Sequence, residues 1–411
     1  MTGAAALRRV RSEMRREVTE RILPYWETVA ADERHGGLVG LVTADGTRHL
    51  DAPKGSIVHA RALWTFATAS HTVGGDAQRD VADRLAEHFV ARFLDPAHGG
   101  VYWMIEADGR PRDDRKHVYA QAFAIYALAA HASAGRPESL ARAVELFRLV
   151  ERHAHDAVNG GYEEAFSRDW RRLDDVRLSP EDANERKSTN THLHLLEAYT
   201  SLLRAWPDAD PLLAVRLGEL VKLFLDRIVD PEFGAAIQFF DADWRPKSPV
   251  HSFGHDIETA WLLLDAACAL DEATLTVRAQ VVAERIAERV LADALDPEHG
   301  GIFYERRADG TLNTDKVWWA QAEAIVGFVA AHRLTGRPEF GEAAVRTWDF
   351  ARRHLIDLDG GEWLWSVSRD GSVRSDREKV GPWKCPYHTA RACIEVVHRV
   401  PAIVEEAGVA R

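Results

Sequence analysis

Cysteine is scarce in this sequence. The 411 residues include three cysteines, Cys268, Cys385 and Cys393. Their odd number and their spacing match no metal-binding pattern, which argues against both a disulfide framework and a cysteine zinc site. Such sparing use of cysteine is typical of a reducing compartment, so we predict a cytoplasmic protein.

Positive charge is also in short supply. Lysine and arginine number 52 against 64 acidic residues, which leaves a formal net charge of -12. Because binding to phosphates requires a clustered excess of basic residues, we expect no nucleic-acid partner and a neutral substrate instead. The N-terminal "MTGAAALRRVRSEMRREV" has no apolar core of signal-peptide length, and no other run is long enough to span a membrane. We therefore expect no membrane association.

Apolar and aromatic residues are plentiful. Hydrophobic residues make up 46% of the chain, and 13 of its residues are tryptophan, which is enough for a large core. Length alone leaves one, two or three domains open. An internal repeat in the chain favours a single catalytic domain over residues 1–411.

A short glycine motif recurs along the chain at intervals of roughly 60 to 70 residues, which is enough for two helices and a loop per unit. It occurs as "HGG" at His35, His98 and His299, "NGG" at Asn159, "DGG" at Asp359, and a degraded "EFG" that ends at Gly234. Paired glycines suit tight turns with positive φ, and the runs after them, such as "VYWM" and "IFYE", predict brief strands. Histidine in these turns is expected to have a structural role.

Each motif is followed by a helix that is apolar on nearly all sides and must therefore be buried. These helices are predicted to begin near Val58, Val118, Thr191, His255, Val317 and His388. Amphipathic helices such as "AVELFRLVERHA" lie between them and resemble surface helices. We predict an all-α fold, an (α/α)6 barrel of six helical hairpins with short β-hairpins in the loops at one end. An open solenoid of the same hairpins is the alternative.

Polar and aromatic side chains concentrate in the first turns of the buried helices. They include Arg61, Trp64, Tyr119, Gln121, Asn190, His194, His255, Glu258, Trp318, Trp319, Gln321, His388 and Arg391. In a barrel all six starts meet at one mouth and form a concave pocket. Residues three or four apart share a helix face, so Glu258 aligns with His255, and Glu197 aligns with His194, while His192 points elsewhere.

The residues of this pocket could in principle serve several chemistries. A metal site on the three histidines is the first alternative, but no HExxH motif accompanies them, and we predict no metal. A glycoside hydrolase needs two carboxylates across the bond, whereas Glu197 and Glu258 each lie beside a histidine. Neither a GxSxG elbow nor a phosphate-binding loop is present. Proton transfer by histidine is the chemistry that fits best.

The segments "APKGSIVHARALWTFA", "KHVYAQAFAIYAL", "NTHLHLLEAY", "SFGHDIETAWLLLDA", "WWAQAEA" and "WKCPYHTARAC" together resemble the N-acylglucosamine 2-epimerase superfamily, and within it the cellobiose 2-epimerase branch. The resemblance extends from about Glu20 to His398 and implies an (α/α)6 barrel that inverts C2 of a reducing-end aldose without a metal or nucleotide cofactor. One departure from the family pattern is Thr389, where many relatives have Asn. Because of this difference, the resemblance does not determine which sugar is preferred.

The resemblance also implies site residues. His255 and His388 match the acid/base pair, Arg61 and His194 match residues that support the open sugar and its enediolate, and Glu258 matches the acid beside the first histidine. The positions expected to contact substrate are Asn190, Tyr119, Trp318 and Trp383, together with Ser179 and Asp182 in a loop that covers the pocket.

Inversion by two bases explains why histidines are needed. One of His255 and His388 would remove the C2 proton and the other would return a proton to the opposite face, since a histidine pKa near about 6.5 allows a neutral base and a charged acid together. Glu258 is expected to orient His255, and Arg61 to face the developing oxyanion. We expect a cellobiose- or lactose-type substrate. The alternative is a mannose 2-epimerase or an aldose-ketose isomerase on free hexoses, and the protein is expected to be a monomer or a weak homo-oligomer.

Overall fold

The structure is a computed structural model that describes residues 3–230, 232–373 and 376–409, with side chains to residue 400. Its helices are α1 (Gly3–Glu17), α2 (Leu23–Thr28), α3 (Ser56–Thr72), α4 (Asp76–Arg92), α5 (Val118–Ser133), α6 (Glu138–His153), α7 (Thr189–Ala205), α8 (Pro211–Leu223), α9 (Phe253–Leu270), α10 (Ala273–Asp293), α11 (Trp318–Thr335), α12 (Pro338–His354) and α13 (Tyr387–Val409). A π-helical turn at Val18–Ile22 joins α1 to α2, and another at Phe224–Ile228 extends α8.

The odd-numbered helices from α3 to α13 form a closed inner ring. Each packs against the next along the chain, and α13 packs against α3, which closes the ring. The inner helices α5 and α11 are buried along almost their whole length, whereas the outer helices α6 and α12 bury one stripe, because only the inner ones have neighbours on all sides. This arrangement confirms the predicted (α/α)6 barrel and excludes the open solenoid.

The strands are short and lie at the end of the barrel where the inner helices begin. They are β1 (Leu41–Val42), β2 (Arg48–His49), β3 (Lys54–Gly55), β4 (Met104–Ile105), β5 (Pro111–Asp113), β6 (Lys116–His117), β7 (Ala165–Phe166), β8 (Lys187–Ser188), β9 (Val229–Asp230), β10 (Ala235–Ala236), β11 (Phe239–Phe240), β12 (His251–Ser252), β13 (Glu305–Arg306), β14 (Leu312–Asn313), β15 (Lys316–Val317) and β16 (Ser366–Val367).

These strands connect consecutive hairpins of the barrel. The strand just before an inner helix pairs antiparallel with a strand that follows the next outer helix, as in β3–β4, β6–β7, β8–β11, β12–β13 and β15–β16. A bridge between Val42 and Val380 closes the same layer between the first and last units. The loops at this end are therefore held in a fixed order around the mouth.

The glycine motif is a tight turn, as predicted. Both glycines of the first turn, Gly36 and Gly37, have positive φ values of 77° and 68°. The side chain of the aspartate before them is fully buried against the lysine that begins β3, with 2.6 Å between Asp32 and Lys54. The turn histidine His35 takes part through its backbone N–H, which donates to Asp32.

A side chain from each of several inner helices anchors the turn of its own unit. His59 accepts the N–H of Leu38, and His192 accepts that of Tyr162. His192 is thus a packing residue, as its helical position predicted. Gln121 and Gln321 have the same task, because each accepts an N–H that follows the glycine pair of its unit. Both glutamines therefore stabilise the turns of the scaffold. The sequence had predicted that they line the pocket at the mouth, and this prediction was wrong.

The described helices include none that is both long and apolar enough to cross a bilayer.

All three cysteines are free, with Cys385 and Cys393 buried and Cys268 exposed.

Candidate active site

A cavity of about 550 Å³ opens at the end of the ring where the inner helices begin. The eleven residues that the family resemblance implied for the site all line it: Arg61, Tyr119, Ser179, Asp182, Asn190, His194, His255, Glu258, Trp318, Trp383 and His388. Eight of them meet there because the inner helices of the described chain begin at one mouth, whereas Ser179, Asp182 and Trp383 reach it from loops.

His255 lies in the first turn of α9, which Ser252 caps. The Ser252 hydroxyl is 2.9 Å from Nδ1 of His255, so the other ring nitrogen is left for the cavity. Desolvation lowers the pKa of His255 to about 4, because no charged group compensates the buried imidazolium. The neutral form, which can accept a proton, is therefore favoured at neutral pH.

His388 is held differently. Its Nδ1 lies 2.7 Å from a carboxylate oxygen of Glu323, a residue of α11 that the sequence had not singled out. Burial lowers the pKa of His388, while the charge of Glu258 acts in the opposite direction. A carboxylate partner also fixes the ring and stabilises its charged form, which a hydroxyl partner cannot do to the same extent.

The two histidines face the same part of the cavity. The ring of Trp319 contacts both of them, with centroid distances of 4.7 Å to His255 and 5.7 Å to His388. Imidazoles from two different hairpins, α9 and α13, therefore border one space.

Glu258 does not have the partner that the sequence suggested. We expected it to orient His255, but its carboxylate accepts a hydrogen bond from Arg391, and the nitrogen of His255 is bonded to Ser252. The expectation followed from helical spacing and from the family resemblance, and spacing along one helix carries no information about a charged residue that another helix brings to the same place. Glu258 lies instead near His388.

Arg391 is the centre of this buried charge cluster. Its guanidinium contacts the carboxylates of Glu197, Glu258 and Glu323, which come from α7, α9 and α11. One cation thus connects four of the inner helices. Within the described residues, the ligand atoms of Glu258, Glu323 and His388 lie within 4.8 Å of one another, a spacing compatible with a metal ion. The guanidinium already supplies positive charge to both carboxylates, which makes this set a poor one for a second cation.

His194 and Arg61 also line the cavity. His194 is bonded at 3.0 Å to Glu197, as their shared helix face predicted. Arg61 donates to the Tyr119 hydroxyl at 2.7 Å, and its guanidinium lies 4.1 Å from the ring centroid of Phe123. A permanent cation surrounded by aromatic rings is poorly hydrated, so it is well placed to stabilise an anion that forms in the cavity.

The outer wall of the cavity is aromatic and polar. Trp318 lies 4.3 Å from Trp365 between ring centroids, and Trp383 lies 6.0 Å from Tyr119. In the loop between β7 and β8, the backbone N–H and hydroxyl of Ser179 donate to Asp182, which keeps this loop compact over the mouth. Thr389 lies outside the cavity lining, is fully buried and donates to Pro386, so this departure from the pattern is a packing difference.

Several lining residues were not among those that the sequence suggested for the site. They are Leu178, Glu181, Tyr304, Glu305, Asn313, Asp315, Val317, Trp365 and Arg377. Most come from loops, and the β12–β13–β14 pairing is what brings Glu305 and Asn313 to the mouth. Glu323 had a weak signal, since it is a charged residue in the otherwise apolar start of α11.

A helical barrel with a deep cavity of histidines, tryptophans, carboxylates and arginine at one mouth defines a class of enzyme that handles small polar molecules. The profile of the N-acylglucosamine 2-epimerase (GlcNAc 2-epimerase) family matches residues 13–392, and the chain belongs to this family.

Individual relatives agree with this assignment. The chain is 41% identical to the cellobiose 2-epimerase of Bacteroides fragilis over 389 residues, which cover 94% of this chain and 98% of that protein. The solved structure of cellobiose 2-epimerase from Bacillus thermoamylovorans B4167 superposes with a TM-score of 0.89 at 36% identity and covers 95% of this chain and 99% of that chain. A D-mannose isomerase of Marinomonas mediterranea is 26% identical over 312 residues, 73% of this chain and 75% of that protein.

Proposed function

We propose that this protein is a carbohydrate epimerase that inverts C2 of the reducing-end aldose in a disaccharide of the cellobiose or lactose type. The relatives named cellobiose 2-epimerase match almost the whole chain at a higher identity than the D-mannose isomerase does. The observation that carries the chemistry is the contact of one tryptophan ring with both His255 and His388.

The reaction begins with a weak carbon acid. A proton on the carbon next to an aldehyde is removed only if a base accepts it and the resulting enediolate is stabilised. His255 and His388 are the proposed base and acid, and the chemistry needs both because a proton must leave one face of C2 and return to the other. Through Nδ1, His255 bonds a hydroxyl and His388 bonds a carboxylate, so the imidazolium of His388, once it has accepted a proton, is the one with a charged partner.

The remaining residues have supporting roles in the proposal. Arg61 and His194 stabilise the enediolate oxygens, Tyr119 holds the guanidinium of Arg61, and Glu258 helps to balance the charge at His388. The sugar contacts are assigned to six residues that line the cavity: Asn190, Tyr119, Trp318, Trp383, Ser179 and Asp182. No metal or cofactor takes part, and turnover should therefore survive dialysis against a chelator.

The proposal extends to the protein as a whole. We assign residues 1–411 to one catalytic domain that acts in the cytoplasm as a monomer or a weak homo-oligomer and has no nucleic-acid partner. The formal net charge of -12 supports the last point.

Turnover in heavy water tests the proton route. The acid that returns the proton exchanges with solvent, so the epimer formed from cellobiose should contain deuterium at C2, as measured by NMR. An epimer without deuterium at C2 contradicts the two-histidine route.

The second candidate function is a mannose 2-epimerase or a mannose–fructose type isomerase, which the similarity to the D-mannose isomerase favours. Cellobiose, mannose, glucose and N-acetylglucosamine should be supplied side by side and their products identified. We expect an epimer from cellobiose. A ketose as the main product, or conversion of mannose alone, would favour the second candidate.

A further inference from the structure

A second cavity of about 210 Å³ lies among the later turns of the inner helices, away from the first turns that form the mouth. It is formed by α3, α5, α7, α9 and α13 and shares no lining residue with the first cavity. We call it the rear cavity. Nothing in the proposed reaction uses it, so the inference drawn from it goes beyond that function.

The rear cavity offers unused hydrogen-bonding groups. Within the described part of the chain, the hydroxyls of Thr68, Ser133 and Ser201 have no hydrogen-bond partner in the protein. His71 bonds the carbonyl of Ala67 through Nδ1, which leaves its other ring nitrogen for a ligand. Hydroxyls both donate and accept, so this lining suits a partner that does the same.

Charge in the rear cavity is already balanced. Asp265 is paired with Arg204 at 2.8 Å, and Glu395 is paired with Arg399 at 2.8 Å. Glu197 at the inner end is bonded to Arg391 and Tyr387. An ionic ligand would find no free countercharge here, which favours a neutral one.

The walls and the volume of the rear cavity further restrict which neutral ligand can bind there. Trp64 is stacked on Tyr126 with 5.2 Å between ring centroids, and Trp261 lines another side, so apolar ring surface and edges border the polar groups. The volume is less than half of the 550 Å³ at the mouth, which limits the ligand to about one sugar ring. We propose that the rear cavity is a non-catalytic binding site for a single neutral pyranose.

The rear cavity also reaches the active site. Glu197 lines the rear cavity and at the same time bonds Nδ1 of His194, whose ring lines the cavity at the mouth. A sugar in the rear cavity therefore contacts Glu197, the residue that positions His194. Its binding would affect the position of His194 at the mouth.

The test uses the full-length protein labelled with 5-fluorotryptophan and methyl β-D-glucopyranoside as the probe. This glycoside has a closed ring and no free aldehyde, so it binds without being epimerised. Trp→Phe variants assign the fluorine signals of Trp64 and Trp261 at the rear, and of Trp318 and Trp383 at the mouth. We expect the two rear signals to shift saturably, with a dissociation constant of their own.

A matched pair of variants locates the site. Ser201→Phe fills the rear cavity and should raise the dissociation constant of the rear signals at least tenfold, whereas Thr335→Phe, at the end of α11 and outside the cavity, should leave it unchanged. Ser133→Phe, on a different helix, gives the same test if Ser201→Phe does not fold. Rear signals that do not shift, or that shift equally in the filled variant, would overturn the proposal.

The ligand class has its own control. Tetramethylammonium and acetate are supplied as a cation and an anion, and a stronger response of the rear signals to either would overturn the assignment to a neutral sugar. The proposed function is judged separately by the signals of Trp318 and Trp383. If these do not respond to sugar while the rear signals do, the proposed function is in question and the rear site stands.

Discussion

At the scale of single residues, the two histidines differ in what holds their Nδ1 atoms. His255 has the hydroxyl of Ser252, and His388 has the carboxylate of Glu323. A carboxylate increases the basicity of an imidazole far more than a hydroxyl does. The two histidines are therefore in different environments before any sugar binds. This difference leads to predictions for the activity of variants and for the pH dependence of the reaction.

Replacing His388 by asparagine should stop catalysis without unfolding the protein. His388→Asn removes the acid/base group, which commonly contributes about 10²- to 10⁴-fold, so kcat with cellobiose should fall by about 10³-fold or more. His398→Asn, an exposed position on the same helix, is the control and should keep full activity. Retained turnover in His388→Asn, with unchanged circular dichroism, would remove His388 from the mechanism.

The pH profile reports the state of the base. Desolvation lowers the pKa of His255 to about 4, and a base must be neutral to accept the C2 proton. Protonation therefore inactivates the free enzyme only well below the usual histidine value of about 6.5. The acid limb of kcat/KM for cellobiose should lie between pH 4 and 6. An acid limb at 6.5 or above would contradict the desolvated base.

At the scale of elements, the repeated turn depends on a buried ion pair. Lys54 and Asp32 both have fully buried side chains, and the equivalent pairs Lys116–Asp95 and Lys316–Asp296 are equally buried. Such pairs add little when intact but are costly to break, since removal of one partner leaves a charge in the interior. Each pair joins the glycine turn to the strand before an inner helix and thus helps to set where that helix begins.

A charge-removing variant tests this element. Lys54→Met should lower the free energy of unfolding by about 3–5 kcal/mol, because Asp32 keeps its negative charge and loses its cation. Arg34→Ala breaks an exposed pair in the same turn, with side-chain exposures of 59% for Arg34 and 86% for Asp51. That control should cost less than about 1 kcal/mol. Urea unfolding measures both, and equal losses would contradict the role of burial.

At the scale of the whole molecule, Arg391 holds the inner ring together. It extends from α13 to carboxylates on α7, α9 and α11, and Tyr387 of α13 bonds Glu197 of α7 as well. The last inner helix thus closes the ring through packing against α3 and α11 and also through charge inside it. The same cluster supports His194 and His388, so ring closure and site assembly depend on the same residues.

Removal of this cation should affect both stability and activity. Arg391→Met leaves three buried carboxylates without their shared partner, and we expect a loss of at least about 3–5 kcal/mol in unfolding free energy together with a large loss of turnover. Arg399→Met, on the same helix, removes one ion pair with Glu395 and a guanidinium 5.4 Å from the Trp261 ring centroid, and should cost only about 1–2 kcal/mol. Similar losses in the two variants would show that Arg391 has no special place in the ring.

The sequence by itself determined the fold and the location of the site. Positive φ at the paired glycines and the contrast between apolar and amphipathic helices are local properties, so the repeat predicted six hairpins in a ring. Because every inner helix begins at the same end, residues in the first turns, such as His194, His255 and His388, had to meet at one mouth.

Only the tertiary structure decided which charged groups meet. Glu258 bonds Arg391, which is 133 positions away, and His388 bonds Glu323, which is 65 positions away. Helical spacing relates residues on one helix, but it has no information about the rotation of one helix against another. The positions of Glu305 and Asn313 at the mouth depend on strand pairing between neighbouring loops. The rear cavity exists because five helices leave a gap where they pack together. These features arise from distances between helices, which no local pattern in the chain encodes.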